Sequence, residues 1–324
     1  MPRYRGNMLD FSDCILCTVA KNEEKCFPGL ASDVLGQSER PALWVLLDDH
    51  STDQTSRIMR GLAQRYEWIR YHTYEGPAST QLGMHLAELK CCASTLAVDT
   101  AFKEKIQFRY IGLLDADVRL PASFYERMIR RMAQNPAIGI ISPRILEFAD
   151  NGELYLKVSR GDLPGCAAML CRRKCFEDIG GVDTRAYPED AIMVVRARLR
   201  GWQTIRAADI KVIHMRKTSS APGLKRGYVF EGEKVFFLRY PFLYVLLRAI
   251  YIAITLGFDC AYAFVHGYLS RLLNGDERLD DKELVGYFRK TRPREIVKYR
   301  LGRLRDLAFR KLPSSALNRR PDEV

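Results

Sequence analysis

The stretch Tyr110-Ile111-Gly112-Leu113-Leu114-Asp115-Ala116-Asp117 constrains the fold more than any other: an uncharged apolar run stops at two carboxylates spaced i, i+2. A short unbroken apolar run is what a strand buried on both faces requires, as in a parallel sheet covered by helices. At the end of such a strand, residues i and i+2 point the same way, so Asp115 and Asp117 converge. Converging carboxylates repel unless a hard cation lies between them, and Mg²⁺ or Mn²⁺ commonly arrives with a substrate diphosphate. The alternative is a surface turn with two solvated acids.

The rest of the chain repeats the pattern. Cys14 to Ala20 reads as a first strand ending in Lys21-Asn22-Glu23-Glu24, with a helix to about Leu35. Ala42 to Leu47 is a second, closed by Asp48-Asp49-His50-Ser51-Thr52-Asp53, where Ser51 or Thr52 is placed to cap a helix running to about Tyr66. Trp68 to Tyr74 is a third, followed by a long helix over roughly Ser79 to Lys103. After Asp117, the Phe124-Met128-Met132 spacing predicts an amphipathic helix, and Ile138 to Ile141 a fifth strand. Strand and helix alternate, which predicts an α/β fold with a parallel, doubly wound sheet. Ligands of such sheets bind beyond the carboxyl ends of the strands. Three of those ends are polar or acidic here, so one acidic mouth is expected on a protein whose net charge is +12.

That basic balance suits phosphate-bearing or anionic-membrane partners; no nucleic-acid partner is expected. The first thirteen residues hold two arginines with no apolar core after them, the pattern of a chain without a signal peptide. Nine cysteines in such a chain point to free thiols in a reducing compartment. Cys14 and Cys17 face opposite sides of a strand and cannot share a metal.

The succession Asn22-Glu23-Glu24, Asp48-Asp49-His50-Ser51-Thr52-Asp53, Asp115-Ala116-Asp117, Gly180-Gly181 and Glu189-Asp190 resembles the family-2 glycosyltransferases, over roughly residues 12–215. The resemblance implies a GT-A fold and inversion at the transferred sugar. It implies a nucleotide-sugar site at Val19, Ala20, Asn22, Glu23, Asp48, Asp49, Asp115, Ala116 and Arg226, with Asp48 and Asp49 reading base and ribose. Asp117 would bind Mg²⁺ or Mn²⁺, and His214 resembles a late histidine used near the metal or diphosphate; a structural histidine fits that position equally. Asp190 would be the catalytic base, with Gly165 and Glu189 on the acceptor side. Two departures stand out. The usual Pro-x-Tyr before Asn-Glu is Val19-Ala20-Lys21, without the aromatic contact, and the Arg- and Asn-rich segment after the third strand is Gly76-Pro77-Ala78-Ser79-Thr80-Gln81. The Gln-x-x-Arg-Trp signature of processive relatives is absent, so a polymerase is not expected.

The residues support these roles in part. Asp190 falls in the first turn predicted after Pro188, where the helix dipole favours a carboxylate; such acids are otherwise simple caps. The small-residue segment Arg160 to Ala168 allows close backbone approach to a sugar, or is a turn before an edge strand. Arg216, Lys217, Lys225 and Arg226 form a basic loop able to close over a diphosphate, or a solvated surface loop.

The C-terminal third is different. Tyr240 to Phe258 holds one charge, Arg248, in nineteen residues, and Cys260 to Ser270 has none apart from His266 if protonated. That length approaches a ~30 Å hydrocarbon layer, but a central arginine costs about 2.5–3.5 kcal/mol there. Both flanks are basic, so a single span would leave one of them outside. A hairpin bending near Gly257-Phe258-Asp259, or helices lying in the interface, avoids both problems; a helical homodimer interface is the alternative. The tail from Asp276 is basic, with an amphipathic helix expected over Ile296 to Leu312 against anionic headgroups.

The sequence thus predicts a catalytic domain over 1–235, an apolar helical membrane-associated segment over 236–275 and a basic tail over 276–324. The expected activity is transfer of a hexose, with mannose favoured, from GDP-mannose or a UDP-hexose to a lipid-linked glycan or polyprenyl-phosphate acceptor at the cytoplasmic face of a membrane. The rivals are a sugar-phosphate nucleotidylyltransferase, whose Gly-rich N-terminal loop and lysine are missing, and a non-catalytic basic membrane adaptor, which would not need Asp115, Asp117 and Asp190.

Overall fold

The computed structural model describes residues 13–77, 82–148, 153–156, 163–165, 167–183, 188–216 and 224–298. Its centre is a nine-stranded sheet. Strands β1 (Cys14–Ala20), β2 (Leu43–Asp48), β3 (Ile69–Thr73) and β4 (Tyr110–Leu114) lie parallel in the order β3-β2-β1-β4. Their apolar runs are buried because helices cover both faces. Leu16, Trp44, Leu46 and Leu114 pack on one side with α1 (Phe27–Leu35), α2 (Thr55–Arg65) and α4 (Phe124–Gln134). Ile15, Val45, Leu47 and Leu113 pack on the other with α3 (Leu82–Lys103). Cys14 and Cys17 fall in these opposite layers. Register sets the strand ends level, with Ala20 opposite Asp48, so the polar residues after each strand emerge together.

The second half departs from the expected parallel sheet. After β5 (Val118–Arg119), β6 (Ile138–Phe148) and β7 (Leu154–Leu156), strand β8 (Ala168–Arg172) inserts antiparallel between β4 and β6. An antiparallel neighbour needs no crossover helix, and the Gly- and Pro-containing sequence before β8 offers none. Strand β9 (Gln203–His214) then runs parallel to β6 and antiparallel to β5. Both β6 and β9 continue well beyond the short stretches Ile138–Ile141 and Val212–Ile213, because mutual pairing carries them through polar residues. Helices α5 (Arg173–Asp178) and α6 (Glu189–Leu199) join α3 on its face through Cys175, Met193, Val194 and Ala197. Ser51 and Thr52 do not cap α2: its N-cap is Gln54, and Asp53 Oδ1 accepts from Thr55 N at 2.9 Å instead.

Beyond the sheet, α7 (Leu224–Phe237), α8 (Phe242–Leu256) and α9 (Phe258–Leu273) form a helical unit, followed by α10 (Lys282–Gly286) and a π-helical turn at Tyr287–Thr291. The apolar stretch predicted from Tyr240 to Phe258 is broken at Gly257, whose φ of +97° ends α8 and starts α9. Among the described residues no helix is long and apolar enough to cross a membrane. Arg248 turns inward to Glu231 of α7 and lies 5.0 Å over the Phe264 ring. Helices α7 and α9 cross at Gly232 and Gly267, where a Cβ on either would collide with backbone of the other helix. The helix expected over Ile296 to Leu312 lies largely outside the described residues.

Candidate active site

Three strand ends, those of β4, β5 and β9, build one cluster. Because β4, β6 and β9 share a direction, His214 leaves β9 on the side where Asp115 leaves β4. The short β5 closes the arrangement: Val118 pairs with His214, and Met215 N donates to Asp117 O at 2.8 Å. Asp115, Asp117 and His214 then offer one ligand atom each, all within 4.8 Å of one another. The imidazole is pre-set. His214 Nδ1 lies on the carbonyl oxygen of Arg216, which can only accept, so Nδ1 carries the proton. Nε2 faces Asp117 Oδ1 at 3.5 Å. In the neutral tautomer two acceptors then face each other, an arrangement a shared cation resolves. Two carboxylates and one imidazole suit Mn²⁺ or Mg²⁺. Protein cations stand nearby: Arg216 Nε is 3.0 Å from Asp117 Oδ2 and also pairs with Glu23, and Lys90 Nζ is 3.1 Å from Asp115 Oδ1.

Burial pushes the Asp115 carboxyl up, with Lys90 pulling it back, and pushes Glu23 to about 7 against the pull of Arg216. Asp190 sits in the first turn of α6, its Oδ1 accepting from Ala191 N at 2.7 Å. Burial first, and Glu189 second, push it up to about 6, while Lys90 and Lys234 pull down. A carboxylate near 6 is a competent base at neutral pH. Its neighbour Glu189 is buried and held by Lys90 at 2.9 Å.

The β1 and β2 ends form a second pocket wall. Asp48 accepts from Ser56 Oγ at 2.6 Å and from Tyr71 OH at 3.4 Å. Lys21 Nζ and His85 Nε2 both lie 3.0 Å from Asp49 Oδ2, while the buried Asp49 Oδ1 has no partner among the described residues. Asn22, at φ +54°, accepts from Thr52 N at 2.8 Å, and Glu23 N donates to Thr55 Oγ1 at 2.7 Å, tying the two strand ends together. The side chains of Ala20 and Ala116 are in the core, so only their backbone faces a ligand, and Val19 is half-buried. Gly165 is half-buried near Ile145, and Arg226 is exposed at the start of α7. Sequence reasoning overlooked Lys90, Lys21 and His85. A lysine on the stripe Ala87, Ala93, Ala97, Ala101, which α3 turns to the sheet, was the available signal for Lys90.

No protein-family model matches the chain. Among curated proteins, it is 21% identical over 220 residues to the beta-monoglucosyldiacylglycerol synthase of Synechocystis sp., covering 61% of this chain and 43% of that protein. It is 28% identical over 126 residues to a probable glucomannan 4-beta-mannosyltransferase 3 of Oryza sativa subsp. japonica, covering 33% of this chain and 23% of that protein. The chain therefore spans less than half the length of the curated relatives it matches. In structure it is similar to the mannosyltransferase PcManGT from Pyrobaculum calidifontis, solved with GDP-Man and Mn²⁺: TM-score 0.53, 13% identity, 91% of this chain and 87% of that one. The mixed α/β sheet with covering helices is thus a GT-A-type fold.

Proposed function

We propose that the chain is a metal-dependent, inverting hexosyltransferase of family-2 type, using GDP-mannose or a UDP-hexose as donor. The observation that carries this reading is the Asp115–Asp117–His214 cluster, with Nε2 turned toward a carboxylate at 3.5 Å. A divalent ion bound there would supply charge stabilisation for the departing diphosphate. The residues do the rest. Asp49, whose Oδ1 has no partner among the described residues, and Asp48 receive N–H and O–H groups of base and ribose. Arg216, held between Asp117 and Glu23, brings a guanidinium to the diphosphate side. Asp190 takes the proton from the acceptor hydroxyl as that oxygen bonds to the anomeric carbon and the bond to the diphosphate breaks.

The outer surface supports a lipid-linked acceptor. Phe242, Leu243, Leu246, Leu247, Ile250 and Ile254 repeat at helical spacing along α8 and are all exposed, Ile254 by 79%. Phe258, 83% exposed, extends the face at the bend. Such a face suits helices lying in a membrane interface, beside a site that serves a lipid-linked acceptor; self-association through the same face is the competing outcome. The test is calorimetric titration of the protein with GDP and UDP, with and without Mn²⁺, and flotation with anionic vesicles. Metal-dependent binding of one nucleotide and co-flotation are expected. No binding at millimolar nucleotide overturns the enzyme reading; a vesicle-free dimer overturns the membrane one.

A further inference from the structure

Lys90 has no counterpart among the residues the sequence pattern singles out, yet it occupies the middle of the site. It projects from α3, on the stripe facing the sheet, and is only 7% exposed. Its Nζ lies 3.1 Å from Asp115 Oδ1, at the end of β4, and 2.9 Å from Glu189 Oε1, at the start of α6. One ammonium therefore ties the arm that carries the metal-site carboxylates to the arm that carries Asp190. Successive residues of a helix point about 100° apart. With Glu189 drawn inward to Lys90, the orientation of the first turn of α6, and so the direction of Asp190, is fixed.

A buried ion pair kept only for stability gains little over apolar side chains of the same volume. This one is also acid-rich: Lys90 bonds two carboxylates, Asp115 and Glu189, with Asp190 next in sequence. We infer that Lys90 is a positioning residue that sets the spacing between the leaving-group side of the site and the general base, a role resting on the glycosyl-transfer reading above. It touches neither reacting atom; it acts through Asp115 and Glu189. Reaction geometry is demanding enough that a misplacement of about 1 Å costs ~100-fold in rate.

The test uses the full chain and two readouts: Mn²⁺-dependent binding of GDP or UDP by calorimetry, and release of nucleoside diphosphate from the matching nucleotide sugar, with water as acceptor. Wild type binding neither nucleotide overturns the underlying reading, and this role with it. Given a binding wild type, Lys90→Met is expected to lower kcat by about 100-fold while the donor KM moves less than about fivefold. Lys90→Arg, which keeps charge and reach, is expected to recover most of kcat. Equal turnover in Lys90→Met and wild type overturns the role. So does a loss that Lys90→Arg does not repair, accompanied by a matching loss of nucleotide binding and melting temperature. Should Lys90→Met fail to fold, Lys90→Met with Glu189→Gln removes the stranded charge. Low kcat in that folded pair supports positioning, and wild-type kcat refutes it.

Discussion

Two places in the molecule hold a cation against a carboxylate away from water, and they are built to opposite ends. In the cleft, Lys90 meets Asp115 and Glu189, with Asp190 next in sequence, so the acids outnumber the lysine. In the helical unit, Arg248 meets Glu231, which also accepts from Lys234, and the pair is enclosed by α7, α8 and the Phe264 ring. The second cluster gathers two cations on one carboxylate and joins three helices, α7 and α8 through the ion pairs and α9 through the Phe264 ring. It also removes the cost of a central arginine, because Arg248 never reaches the apolar outer face. The first is left with excess negative charge at a strand end, the setting that the proposed metal binding and proton transfer require. Buried charge enclosed by packed helices fixes a structure, whereas carboxylates gathered in excess at strand ends are available for chemistry.

The comparison is broken most sharply from the cleft side. Asp190→Asn is expected to lower donor turnover by roughly 10³-fold, within the range for losing a general base, while calorimetry finds Mn²⁺-nucleotide affinity within about threefold of wild type. Arg248→Met should show the reverse profile. Stranding Glu231 costs about 3–5 kcal/mol of stability in denaturant titration, and Arg248→Met with Glu231→Met recovers most of it. Nucleotide affinity of the folded Arg248→Met fraction should stay at the wild-type value. Asp117→Asn should weaken the Mn²⁺-dependent part of nucleotide binding about 100-fold, or ~2.7 kcal/mol, with little change in melting temperature.

Smaller effects sharpen the contrast. Because Asp190 is raised from 3.8 to about 6, turnover should climb as pH rises through about 6, where the base loses its proton. Stability runs the other way. The fold holds that proton more tightly than the unfolded chain, so this group's contribution is intact below about 4 and declines as pH rises to about 6. The difference in melting temperature between wild type and Asp190→Asn across that window measures it. Least affected in stability should be Ile254→Glu, on an exposed position, within about 0.5 kcal/mol of wild type. Its loss of vesicle flotation, with nucleotide binding intact, would separate the outer face from the cleft.

Much of this was legible in the chain. Cys14–Ala20, Leu43–Asp48 and Tyr110–Leu114 are strands because their runs are short, apolar and closed by acids, and the break at Gly257 was readable from a glycine between apolar stretches. Asp115 and Asp117 were expected together from the two-residue repeat of a strand, and they do meet, but in the turn between β4, which ends at Leu114, and β5. The antiparallel insertion of β8 was not readable, since an apolar five-residue run carries no mark of direction. Nor were the partners of Lys90, which lie 25 and 99 positions along the chain.

What the sequence by itself determined was the set of buried strands and the acids at their tips, because burial and side-chain alternation are local properties of a run of residues. What only the tertiary structure decided was which groups meet there. His214 joins Asp117 through the pairing of β5 with β9, and Lys90 joins Asp115 to Glu189 across α3. Arg248 is neutralised by a residue seventeen positions away on another helix. Those meetings depend on strand order and helix packing, which are set by the fit of the whole core, and no window of sequence contains them.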